Sequence, residues 1–142
     1  MIRLSPLIFA LAALAAAPAA AKEYVVHMKN SGAAGMMAFE PMVVNAKPGD
    51  TVRFVPTDAS HNAETIPAIW PAGAPPIKGA INKEVTLSVT KAGIYGIKCQ
   101  PHYAMGMVAL VIAGNANRAA AQAATLPPLA AKRLKPALAA IR

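Results

Sequence analysis

Cysteine is almost missing from this sequence: among 142 residues there is one, Cys99. No internal disulfide can form, and an exposed lone thiol is a liability in an oxidising compartment. A free cysteine is most often an inert buried residue, so Cys99 needs its neighbours to give it any other meaning. Acidic residues are also scarce, with 6 Asp and Glu against 14 Lys and Arg, a formal charge of +8. That balance favours acidic partners through long-range steering. It does not point to nucleic acid, because no nucleic-acid-binding motif accompanies it. After the first residues no apolar run approaches the roughly 20 residues that a membrane span requires. No internal repeat is present, and the length suits one domain.

The N-terminal segment has the form of a leader. Arg3 precedes an apolar run from Leu7 to Ala17, and Pro18-Ala-Ala-Ala21 places small residues ahead of the charged Lys22-Glu23. These features predict a secretory signal peptide over residues 1–21, cut after Ala21, and hence an exported protein. The basic excess is uneven. Lys22 to Asn117 holds 8 basic and 6 acidic residues, whereas Arg118, Lys132, Arg133, Lys135 and Arg142 follow with no acid among them.

From Glu23 onward short strands alternate with turn residues, the pattern of an all-β sandwich. Tyr24–Lys29 alternates loosely and leads into a loop over Asn30–Gly35. Phe39–Asn45 reads as the next strand, with Pro41 marking an edge or strand entry, and Lys47-Pro-Gly-Asp50 as a turn. Thr51–Val55 and Val85–Val89 alternate with period two, and Lys91-Ala-Gly93 turns into Ile94–Cys99. Met107–Ile112 is a nearly continuous apolar run suited to a core strand. Between His61 and Asn82, Pro67, Pro71, Pro75 and Pro76 interrupt any periodicity. The stretch reads as a surface excursion with a helical turn near Ile66–Trp70 and Trp70 packed inward. Two short helices are expected at the end, one in Asn115–Ala124 and one from Leu129 to about Ile141. Leu134, Leu138 and Ile141 form the second helix's apolar stripe, and Pro136 should kink or interrupt it. The domain scheme is therefore a leader over 1–21, a sandwich over 22–114 and a helical extension over 115–142.

The chemistry is concentrated in Cys99-Gln-Pro-His102-Tyr-Ala-Met105-Gly-Met107. A thiolate, an imidazole and a thioether within nine residues form a soft donor set. Zinc and iron sites seldom use methionine, whereas two His, one Cys and a weak axial Met describe electron-transfer copper. The second imidazole can come from His61, just after the Thr51–Val55 strand. His27 lies in the first strand without ligand-like neighbours other than Met28 and reads as structural or solvent-facing. Met36, Met37 and Met42 read as packing. Spacing alone leaves Met105 and Met107 as rival axial ligands.

Cys99-x-x-His102-x4-Met107, with His61-Asn62 some forty residues earlier, resembles the small blue copper proteins, or cupredoxins. The His27-Met28 strand, Gly35, Phe39-Glu-Pro41 and the C-terminal extension resemble their pseudoazurin branch from about Lys22 onward. Plastocyanins share the ligand spacing but end after the last strand. The resemblance implies an eight-stranded Greek-key sandwich with two short C-terminal helices. It implies His61, Cys99, His102 and Met107 as ligands of one type 1 copper, and so Met107 over Met105. It places Asn62 and Pro101 around the thiolate, the first donating an N–H to sulfur, the second withholding one. It implies a monomeric periplasmic electron carrier and not an enzyme. Electrons would pass through His102 and a surrounding hydrophobic patch to a copper-containing nitrite reductase or a c-type cytochrome. Lys78 and Lys98 match lysines that steer such partners, while Ser31 and Ala59 stand where relatives often carry lysine. Two other readings compete. A copper-delivery protein would use an exposed donor set that releases Cu(I). A thiol enzyme built on Cys99 and His102 would need a second cysteine and a βαβ pattern, and both are missing.

Overall fold

The computed structural model describes Ala17 and residues 19–142; the greater part of the expected leader lies outside the described residues. Eight strands form two four-stranded sheets. β1 (Glu23–Gly32), β2 (Gly35–Glu40), β4 (Thr51–Pro56) and β6 (Val85–Ser88) are ordered β2-β1-β4-β6. β3 (Val43–Asn45), β5 (Glu64–Thr65), β7 (Ile94–Lys98) and β8 (Val108–Ile112) are ordered β3-β8-β7-β5. β1 runs parallel to β4 and β3 parallel to β8, the remaining pairs being antiparallel. Helices α1 (Arg118–Ala123) and α2 (Pro128–Ala140) follow. This is the expected eight-stranded sandwich with two C-terminal helices.

Alternation decides what fills the space between the sheets. Val26 and Met28 of β1 meet Val52 and Phe54 of β4, with Phe39, Leu87, Tyr95, Ile97 and Val111 closing the layer. Phe39 and Phe54 meet edge to face with ring centroids 5.8 Å apart. β7 and β8 are buried on both faces, which is why Met107–Ile112 reads as an unbroken apolar run. Their outward residues Ile94, Val108 and Leu110 pack against Ile66, Ile69, Ala121, Ala130, Leu134 and Leu138. Each large aliphatic side chain buried this way contributes about 1.5–3 kcal/mol, so the helices are a third layer of the domain.

Several local expectations are corrected. β1 runs on to Gly32, so Asn30 and Ser31 belong to a strand, and the turn is only Ala33-Ala34. The single strand expected over Phe39–Asn45 is two strands in different sheets, broken at Pro41, which cannot donate to a ladder. The excursion after His61 is not merely superficial, since Ala63, Ile66, Ile69 and Ala74 are buried and β5 lies within it. Ile66–Trp70 holds one turn, closed by the Ile69 N–H on the Ile66 carbonyl at 3.0 Å. Trp70 does pack, edge to face on Tyr95 at 4.9 Å, and its indole N–H donates to the Ala74 carbonyl. α2 passes through Pro136 without ending. Pro136 and Lys132, four residues earlier, are both exposed, so the hydrogen bond that proline forgoes lies on the solvated side of the helix. Met36 is not packed; it is 66% exposed.

Candidate metal centre

Strand parity aims the site. In β7 Tyr95 and Ile97 face the sandwich interior, so Cys99, the next residue of that parity, also points inward, at the end of the strand. In β8 Ala109 and Val111 face inward, and Met107 shares their side. Lys98 pairs with Val108, and the Cys99 N–H donates to the Met107 carbonyl at 3.0 Å. Cys99 and Met107 are therefore cross-strand neighbours on one inner face, and both are wholly buried. Met105 sits in a single 3₁₀ turn, Tyr103–Met105, and is 43% exposed. Of the two methionines, the buried one lies beside Cys99 and the other is half-exposed.

Between Cys99 and Met107 the chain makes a tight loop. The His102 N–H donates to the Cys99 carbonyl, and the Met107 N–H to the His102 carbonyl at 3.1 Å. Gly106 closes the loop at φ 85°, in the left-handed region. A Cβ there would also lie 3.1 Å from the Leu129 main chain of α2. His61 arrives from the other side, on the segment that leaves β4, and is wholly buried. Ser60 before it is held at φ 73°. The Asn82 side-chain oxygen accepts the Ser60 N–H at 2.6 Å, and the Asn82 N–H donates to the His61 carbonyl at 2.9 Å.

The structure brings His61, Cys99 and His102 to one point. The two Nδ1 atoms are 3.1 Å apart, and Cys99 Sγ lies 3.8 Å from His61 Nδ1 and 3.5 Å from His102 Nδ1. The centre of that triangle is about 2.0 Å from each corner, against metal bond lengths of about 2.0–2.1 Å to imidazole and about 2.3 Å to thiolate. The spacing of the three donors therefore fits one first-row ion. His61 Nε2 lies 2.8 Å from Asn30 Oδ1, which can only accept. The proton of His61 therefore sits on Nε2 and the Nδ1 lone pair faces the sulfur.

Burial, reinforced by the neighbouring His102, pushes the pKa of His61 below its ordinary value, and Asp58 opposes the shift. His61 is thus a neutral base at pH 7, as a ligand must be. Burial pushes the Cys99 thiol up, while the backbone N–H groups of Asn62 and His102 favour the thiolate. Asn62 also ties the two loops together. Its Oδ1 accepts the Gln100 N–H at 2.7 Å, and its Nδ2 donates to the Gly79 carbonyl at 3.0 Å and to Glu64. His27 is exposed, with Nδ1 2.8 Å from the Thr57 hydroxyl, and takes no part in the cluster.

Three contributors have no signature in the sequence. Asn30 and Asn82 hold His61 from distant strands and loops. The third is Arg133 of α2, whose guanidinium donates to the carbonyls of Gly106 and Met37 at 2.8 and 2.7 Å and to that of Met36. It fastens the helix to β2 and to the loop beside Met107.

A thiolate, two imidazoles and an adjacent buried thioether is a donor set for copper. The family model for copper-binding proteins of the plastocyanin/azurin family matches residues 26–114. This chain belongs to that family. Among its relatives is the pseudoazurin of Paracoccus pantotrophus, 50% identical over 128 residues, covering 89% of this chain and 88% of the relative. That of Methylorubrum extorquens is 48% identical over 127 residues, covering 88% and 86%. The refined crystal structure of pseudoazurin from Methylobacterium extorquens AM1 superposes with a TM-score of 0.81 at 47% identity, covering 84% of this chain and 99% of that one. Native pseudoazurin from Hyphomicrobium denitrificans gives 0.80 at 45% identity, covering 84% and 98%. Copper is the cofactor that this pseudoazurin-like site holds.

Proposed function

We propose that the protein is an exported, periplasmic electron carrier rather than an enzyme, with His61, Cys99, His102 and Met107 as ligands of one type 1 copper. The observation that carries this reading is the convergence of two Nδ1 atoms and one Sγ beside a buried methionine. When bound, copper supplies one-electron chemistry between Cu(II) and Cu(I). The protein's part is to hold one compromise geometry for both states, so that little moves as the electron arrives or leaves. Asn30 fixes the ring of His61, Asn62 ties the two loops, and the strand ends fix Cys99 and Met107. The three wholly buried donors, His61, Cys99 and Met107, oppose the delivery alternative, which needs an accessible, releasable set.

His102 is half-buried, and beside it Pro101, Ala104 and Met105 are exposed. Met36 is also exposed, and its carbonyl shares the Arg133 guanidinium with that of Gly106. We assign electron exit to His102 and docking to this surface, with a copper-containing nitrite reductase or a c-type cytochrome as partner. Lys78 is exposed, whereas Lys98 lies 3.4 Å from Glu64 and over the Tyr103 ring. The charge of Lys98 is thus largely answered within the protein.

If docking is electrostatically steered, stopped-flow association with nitrite reductase slows on the order of tenfold between low salt and 0.3 M. Lys78→Glu should slow it further at low salt, and by more than Lys98→Gln, with the visible spectrum unchanged. Salt-independent rates would contradict this steering.

Pro101 bears on the potential. Lacking an N–H, it offers no donor to the Cys99 sulfur. Fewer donors leave more electron density on sulfur and favour the oxidised state. Pro101→Ala is therefore expected to raise the reduction potential in protein-film voltammetry; an equal or lower value counts against this account.

A further inference from the structure

Far along the chain from the metal-binding loop, Lys22 is held on both sides. Its main-chain nitrogen lies 2.9 Å from Asp50 Oδ1, and its carbonyl accepts the Thr51 N–H at 2.9 Å. Asp50 Oδ2 accepts the Lys47 N–H at 2.9 Å. Asp50 is one of few buried charged side chains, at 7% exposure, so a single carboxylate is spent on two main-chain nitrogens. Just upstream, Ala19, Ala20 and Ala21 are exposed and line a surface cleft with Lys22, Tyr24 and Asp50.

We propose that cleavage after Ala21, expected from the sequence, releases an α-ammonium group on Lys22 that forms an ion pair with Asp50. This rests on the export reading above. Water splits the amide; the new carboxylate leaves with the leader, and the new amine takes up a proton at neutral pH and stays on Lys22. The small side chains at Ala19 and Ala21 are those a leader peptidase accepts. The nitrogen that donates to Asp50 is the atom that becomes the charged terminus, so processing converts an amide hydrogen bond into a charge-assisted one without moving the chain. Such bonds are roughly twice as strong as neutral ones.

The surrounding charges leave Asp50 as the terminus's partner. Glu23 is turned to Arg53 at 3.3 Å. The Lys22 side-chain ammonium lies over the Tyr24 ring at 4.6 Å, and Lys47 offers Asp50 its N–H. The N–H groups of Lys22 and Lys47 hold the Asp50 carboxyl below its ordinary 3.8. The pair therefore has two pH limits. On the acid side it is complete above Asp50's unfolded value and lost as pH falls through the lower folded one. On the alkaline side it is complete below the unfolded α-amino value of about 8 and lost as pH rises through the raised folded one.

The full chain is expressed in a Gram-negative host, recovered from the periplasm and weighed intact. A mass for Lys22–Arg142 is expected. An exported protein starting at any other residue overturns the processing site alone, whereas unprocessed protein left in the cytoplasm overturns the export reading as well. Copper-loaded protein starting at Lys22 is then compared with one that retains Ala20-Ala21. The first should melt roughly 3–6 °C higher at pH 7, the gap closing above about pH 10 and vanishing in Asp50→Asn. Equal melting at pH 7, or a gap that survives Asp50→Asn, overturns the ion pair.

Discussion

Cys99→Ser is expected to abolish the intense visible absorption of the copper-loaded protein and its rapid electron exchange while leaving the sandwich folded. Cys99 is the inward-facing residue at the end of β7, and its sulfur is the only thiol in the chain. The colour of such sites comes from charge transfer between thiolate sulfur and Cu(II), and a serine oxygen is too hard a donor, and too weak an acid, to replace it. The fold should survive because the two side chains have nearly the same shape, the cost of burying a hydroxyl being about 1–3 kcal/mol. Circular dichroism of the metal-free variant checks the fold, and the visible spectrum checks the site. Colour retained in Cys99→Ser would place the chromophore elsewhere.

Asn62→Ala is expected to produce the largest loss of stability of any single polar change near the site. Asn62 is 4% exposed and serves two loops at once, through Gln100 and Gly79. Truncation leaves the Gln100 N–H and the Gly79 carbonyl without those partners, a loss of about 2–4 kcal/mol. Urea unfolding of the metal-free protein measures it. Copper should also dissociate faster, because the loop bearing Cys99 and the loop bearing His61 are no longer tied. A stability change under about 0.5 kcal/mol would show that the loops hold together without this side chain.

The parts of the site readable from sequence are those with local pattern. Cys99 lies at the end of an alternating strand, so its inward direction follows from Tyr95 and Ile97. His61 follows a strand with the same alternation, and His102 and Met107 lie within nine residues of the cysteine. The unread parts meet their targets across long sequence separations. Asn30 is 31 residues from His61, and Arg133 is 27 residues from Gly106 and 96 from Met37. A lone asparagine or arginine carries no periodicity to announce such a partner. The stretch after His61 escaped a regular reading for a related reason. It anchors itself with isolated apolar residues, Ala63, Ile66, Ile69 and Ala74, and no repeat of 2 or 3.6 connects them.

Proline shows the same limit from the other side. Pro41 and Pro136 both lack an N–H, yet one ends a strand and moves the chain into the other sheet while the other sits within a continuous helix. Leu134 and Leu138, buried against β8 on either side of Pro136, hold the helix where local propensity would have broken it. Tertiary packing decided between two outcomes that the residue type left open.

His61, Cys99, His102 and Met107 are proposed to form a single copper site of the electron-transfer type. Paired visible and paramagnetic-resonance spectra of the oxidised, copper-loaded protein test it most directly. One copper per chain is expected, with an intense band near the red end of the visible spectrum and narrow parallel hyperfine splitting, both lost on reduction and regained on reoxidation. A colourless copper-loaded protein, or one with the broad splitting of a site without thiolate, would contradict it.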